Sequence, residues 1–142
     1  MATLQLYNHT AQRFASGANS STDVYKVKLL SAGTFDAANT TLAATGGTEV
    51  ANGNGYTTGG QILAGVTVAT VTTDDAKFDA DDVTWAVTAS SITALAAIIY
   101  NDTDTDDPPV AFVDFGGSRT VSSGSDFVLI WNADGIFLWT VT

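Results

Sequence analysis

The chain of 142 residues carries fifteen Asp or Glu against five Lys or Arg, a formal net charge of −10, and no cysteine. The missing thiols exclude a disulfide scaffold and a thiolate metal site. The sparse cations, with Lys26 and Lys28 the one basic pair, speak against nucleic acid, which demands clustered positive charge. No apolar run reaches the roughly 18 residues of a bilayer span, and the start MATLQLYNHT lacks the basic and apolar parts of a secretion signal. A soluble single domain with no membrane partner is expected, burying about two thirds of its unfolded surface.

Leu4 and Leu6 alternate with polar residues and predict a short first strand. The stretch NHTAQRFASGANSST is polar and broken by Gly17, so residues 1–22 read as a strand followed by a mobile arm with at most one helical turn, and residues 23–142 as the domain proper. In DVYKVKLL, Tyr25, Val27 and Leu29 point one way and Lys26 and Lys28 the other, which predicts a strand with one wet face. Residues 34–44 hold only Phe35 and Leu42 as large apolar groups and predict a loop or short helix folded onto the sheet.

Seven glycines fall between positions 46 and 65, with Asn54-Gly55 the strongest turn dipeptide of the chain. The run GNGYTTGG has neither the Lys nor the following helix of a phosphate loop, and no strand-turn-helix context supports a dinucleotide site. Val66, Val68 and Val71 with interleaved threonines predict a strand closed by Asp74 and Asp75. Val83, Trp85 and Val87 share one face of the next strand, with Trp85 as a core anchor.

Residues 91–117, SITALAAIIYNDTDTDDPPVAFVDFGG, read as the central hairpin. Strict alternation places Ile92, Ala94, Ala96, Ile98 and Tyr100 on one face and Leu95, Ala97 and Ile99 on the other, so the first strand should be covered on both sides. A short buried helix capped by Ser91 is the alternative; the brevity of the run and the β-branched Ile98 and Ile99 favour the strand. Beyond it, Phe127, Leu129 and Trp131 line one face of a strand, and the turn NADG leads to a last strand in IFLWTVT. Short strands at near-regular spacing without a long amphipathic helix predict an all-β, single-domain, jelly-roll-like β-sandwich.

Convergent chemistry is scarce. His9, the single histidine, reads as a surface residue. Asp79, Asp81 and Asp82, and the cluster Asp102 to Asp107, sit where turns favour Asp for local hydrogen bonding, and no acid pair on a core strand suggests hydrolysis. Asp102, Asp104 and Asp106 alternate like the first ligands of an EF-hand, yet Asp107 replaces the required Gly and Val113 the required Glu. A solvated acidic tip, dispensable for folding, is expected there, with a looser calcium site as the alternative. No catalytic, cofactor or metal-binding residue is assigned, and no enzymatic activity is expected.

The order of motifs resembles a family of small virion structural proteins of tailed bacteriophages. The resemblance rests on YNHTAQRFASG, TDVYKVKLL, TEVANGNGYTTGGQIL, FDADDVTWAVTASSITALAAIIYND and PPVAFVDFGGSRTVSSGSDFVLIWNADGIFLW. Its most specific parts are the spacing of Glu49, Gly53, Gly55, Tyr56, Gly59 and Gly60 and the phrase Asp81 to Trp85, whereas the acidic loop Asp102 to Asp107 departs from the pattern. The resemblance implies a capsid decoration or cement protein on the head surface, without enzymatic activity, bound to the major capsid protein and to itself, a trimer being favoured. A tail or fibre accessory protein, or a carbohydrate-binding sandwich using exposed Trp residues, are the other readings; alternation points Trp85, Trp131 and Trp139 inward.

Overall fold

The computed structural model describes residues 2–71 and 75–140. It is nearly all β, 46% strand with one short helix, and its sheets pack against each other as an all-β sandwich-like domain. The strands are β1 (Thr3–Leu6), β2 (Tyr25–Ala32), β3 (Thr48–Glu49), β4 (Gln61–Ile62), β5 (Thr67–Thr70), β6 (Ala76–Asp79), β7 (Val83–Ala86), β8 (Ser91–Asn101), β9 (Pro109–Ser122), β10 (Asp126–Leu129) and β11 (Phe137–Trp139). One layer is a six-stranded sheet ordered β1-β9-β8-β2-β3, with β4 also paired to the outer edge of β2. The facing layer is split into the pair β10-β7 and the triplet β11-β6-β5. Asp74, expected to close β5, and Val141 and Thr142 of the expected last strand lie outside the described residues.

The β8–β9 hairpin is the spine of the large sheet, as its two apolar faces require. The expected face assignment needs one correction. The register slips between Ala94 and Ala96, where Leu95 faces four residues of β9 from Phe115 to Ser118. This bulge inverts the alternation: Ile92 and Ala94 join Ala97 and Ile99 in the core between the layers, while Ala96, Ile98 and Tyr100 face the opposite side. Gly116 and Gly117 take positive φ to make the slip, and the Asp114 carboxylate accepts the Gly116 N–H at 2.8 Å.

The main core joins Tyr25, Val27 and Leu29 of β2 to Phe78, Val83, Trp85, Phe127 and Phe137 of the facing layer. Trp85 is completely enclosed, worth about 3 kcal/mol of apolar burial. On the outer face, residues 33–47 fold back onto the sheet, and Phe35 and Leu42 cover Ile98, Tyr100 and Phe112. A short 3₁₀ turn at Ala43–Thr45 is the only regular structure there.

Residues 8–22, expected as a mobile arm, are instead built into the sandwich. They form helix α1 (Thr10–Ser16), ended by Gly17 in the left-handed conformation, with the Gly17 N–H donating to Phe14 O. A second bulge explains the docking: Ile99 faces Ala111 and Tyr100 faces Pro109, so Val110 has no partner on β8. The Val110 carbonyl accepts the Thr10 hydroxyl at 2.7 Å, and the Pro109 carbonyl accepts His9 Nε2–H at 2.8 Å. From the helix, Phe14 enters a ring cluster, 4.9 Å from Trp139 and 5.5 Å from Phe78 between centroids. The polarity of the segment conceals this, because one aromatic and one threonine do the anchoring.

Candidate functional site

The glycine-rich stretch forms an internal brace. Tyr56 is buried and its hydroxyl donates to Glu49 Oε1 at 2.7 Å while accepting the Leu29 N–H at 3.0 Å. The same Glu49 oxygen accepts the Gly59 N–H at 2.6 Å, and the Gly59 carbonyl accepts the Tyr100 hydroxyl at 2.6 Å. Asn54 and Gly55, both at positive φ, make a two-residue turn closed by paired bonds between Gly53 and Tyr56 of 2.8 and 2.9 Å. A side chain on Gly55 or Gly60 would put its Cβ 1.9 Å from the carbonyl oxygen of Ala86 or Val27. Gly55 and Gly60 serve backbone approach, and the amides of Gly59, Gly53 and Gly60 are taken by Glu49 and by the loop carbonyls of Tyr56 and Thr57, so they form no phosphate cradle.

The Asp81 to Trp85 phrase is a second brace. Asp81 N–H donates to Ala64 O, the Asp81 carbonyl accepts Trp131 Nε1–H at 3.0 Å, and Asp82 Oδ1 accepts the Trp131 N–H at 2.9 Å. Trp131 is therefore pinned by its edge and half-buried, as is Trp139; of the three tryptophans only Trp85 is fully in the core. Asp79 is engaged separately by Lys77 at 2.8 Å. These carboxylates hold turns and do not converge on a shared space.

The acidic tip between β8 and β9 is not the free, solvated loop expected from its composition. Asp102 pairs with Lys26 at 2.9 Å and Asp104 with Arg13 of α1. Thr103 Oγ1 accepts the Val24 N–H at 2.7 Å, and the Asp106 carbonyl accepts the Leu42 N–H. Beneath the tip, fully buried Asn101 donates to Asn19 Oδ1 and Asp23 Oδ2, both at 3.0 Å. The tip thus ties α1, β2 and the covering loop together. Arg13 hydrogen-bonded to the Asp104 carboxylate holds it below the usual carboxylate range. Among the described residues, no three His, Cys, Asp or Glu side chains are grouped to hold a metal ion, and no helix is long and apolar enough to cross a membrane.

The site that the sequence did not suggest is an open side of the sandwich. A cleft of about 640 Å³ runs between edge strand β1 and strand β10. Leu4, Val113 and Phe115 floor it from the large sheet, and Phe127, Leu129 and Ile130 wall it from the other layer. Ile130 is 76% exposed, the most exposed large apolar residue of those described. Arg119 supplies charge at the cleft, with its guanidinium donating to Phe115 O at 3.0 Å. The apolar lining has no acid–base pair facing it, so the cleft is suited to binding by shape and burial. Sequence reading missed it because it is made by two strands more than a hundred residues apart, neither of which has a covering neighbour on that side among the described residues.

The fold and cleft together define an all-β sandwich-like domain with an apolar cleft between two strand edges. No protein family, no curated protein and no solved structure matches this chain.

Proposed function

We propose that the chain is a non-enzymatic virion structural protein of a tailed bacteriophage, a decoration or cement protein that binds the outer surface of the head. Its partners in this reading are the major capsid protein and further copies of itself, with a trimer as the first expectation, assembled in the bacterial host cytoplasm. The resemblance of the ordered motifs supplies the class. The observation that carries the attachment role is the cleft: an apolar recess beside two strand edges, with Val128 and Ile130 exposed at its wall, a surface that a partner can cover. The braces around Glu49 and Asp81 agree with a scaffold made rigid for that task, since a rigid partner loses less conformational entropy on binding.

Quantitative mass spectrometry of purified particles tests this reading. A copy number in fixed ratio to the major capsid protein is expected. A handful of copies per particle would assign the chain to the tail instead, and absence from particles would overturn the proposal. Light scattering of the isolated protein checks the trimer.

A further inference from the structure

We infer that the cleft between β1 and β10 receives an extended segment of a partner protein that adds as a strand along β10, with apolar side chains at alternate positions and one carboxylate meeting Arg119. The inference deepens the attachment reading and rests on it for the identity of the larger partner. Its geometry comes from the cleft alone. Consecutive residues Phe127, Val128, Leu129 and Ile130 all line the space. In a strand, neighbours point to opposite faces. A cleft bordered by Phe127, Val128 and Leu129 of β10, and by Ile130 just past its end, therefore runs along the strand's main chain rather than over one face. Among the described residues that edge is open, because β10 pairs with β7 alone, and β1 across the cleft pairs with β9 alone. An added strand satisfies an open edge by main-chain hydrogen bonds and sends every second side chain inward, here onto Val113 and Phe115.

The carboxylate follows from charge. Among the described residues, Arg13, Lys26 and Lys77 are ion-paired to Asp104, Asp102 and Asp79. Arg119 is exposed and, like Lys28, makes no such pair; its guanidinium has one hydrogen bond, to the Phe115 carbonyl, and of the two cations only Arg119 lines the cleft. A guanidinium beside an apolar trough selects a carboxylate and can grip it through two parallel bonds. A second copy of this chain is the poorer occupant, since it would bring another charge of −10 against the first.

The test uses the isotope-labelled full chain and two capped synthetic hexapeptides of alternating valine and threonine, one with a central aspartate and one with lysine in its place. The aspartate peptide is expected to shift the amide signals of residues 126–130 and 3–6 and to slow their hydrogen exchange. The lysine peptide should bind at least tenfold more weakly. Arg119→Gln should remove that difference and Arg119→Glu reverse it, while both variants keep the wild-type spectrum elsewhere. Four results would overturn the inference: no shift at millimolar peptide, equal affinity for both peptides, the same amides shifting on concentration of the protein alone, or decanoate occupying the cleft where the peptides do not. Because this assay uses isolated protein, its failure is distinct from a failure of the particle count above.

Discussion

The hydroxyl of Tyr56 stands between a strand and a carboxylate, accepting the Leu29 N–H at 3.0 Å and donating to Glu49 at 2.7 Å. One buried oxygen thereby satisfies the β2 edge where it passes between β3 and β4. Tyr56→Phe keeps the ring packed and leaves the Leu29 N–H without a partner, a cost of about 1–3 kcal/mol. Chemical denaturation should show a lower midpoint with an unchanged slope, since the surface exposed on unfolding is the same.

All four tyrosines resist ionisation. Burial, and for Tyr7 also the charge of Asp36, pushes the Tyr7 phenol up to about 12, and burial raises Tyr25, Tyr56 and Tyr100 further. Unfolded tyrosine ionises near pH 10. A group with a raised folded value contributes stability in full below that pH and loses it as pH rises toward the folded value. The protein should therefore hold its structure to about pH 10 and unfold cooperatively above it, with tyrosinate absorbance rising in step with loss of the β-sheet circular dichroism signal. Tyrosines titrating one by one in a folded chain would contradict this.

Gly60 and Gly124 both have positive φ, but only Gly60 is pressed on its neighbour. Gly124→Ala meets open space and should cost about 1–2 kcal/mol, the left-handed penalty alone. Gly60→Ala must displace the β2 backbone at Val27 and should exceed about 4 kcal/mol. Paired thermal melts would separate the two causes.

Asp104→Asn is expected to lower the melting temperature at neutral pH, because it removes the charge that Arg13 holds at the tip. A carboxyl with a depressed folded value stabilises above its unfolded value near 3.9 and loses that contribution as pH falls through the folded one. Wild type and variant should therefore converge in melts taken at successively lower pH below about 4. A gap that persists into strong acid would show that packing, not charge, is responsible.

Removing residues 1–20 should abolish cooperative unfolding rather than trim an arm. The deletion takes away β1, buried Tyr7 and Thr10, and Phe14 from the ring cluster. Two large aromatics at about 2–3 kcal/mol each are a large share of a typical 5–15 kcal/mol stability. Circular dichroism of the truncated chain would decide the matter, a native-like melt being the contrary result.

The period-two runs at Tyr25 to Leu29 and Val83 to Val87, and the run at Ser91 to Tyr100 that is apolar on both faces, with turn signals between them, were enough to read an all-β sandwich and its central hairpin. Local backbone preference and alternation act over a few residues, so they are written in adjacent positions. What the tertiary structure alone decided lies in contacts without local pattern. The bulge exchanged the faces of half of β8, because Leu95 and Ala96, adjacent in the chain, both pack on the outer side where the register with β9 slips. Polar residues 8–22 became part of the core through Thr10 on the carbonyl of Val110, which has no partner on β8, and through Phe14. The acidic tip became a tie because its cations come from α1 and β2. The cleft exists because β1 and β10 each lack an outer neighbour among the described residues, a property of sheet order that no stretch of residues encodes alone.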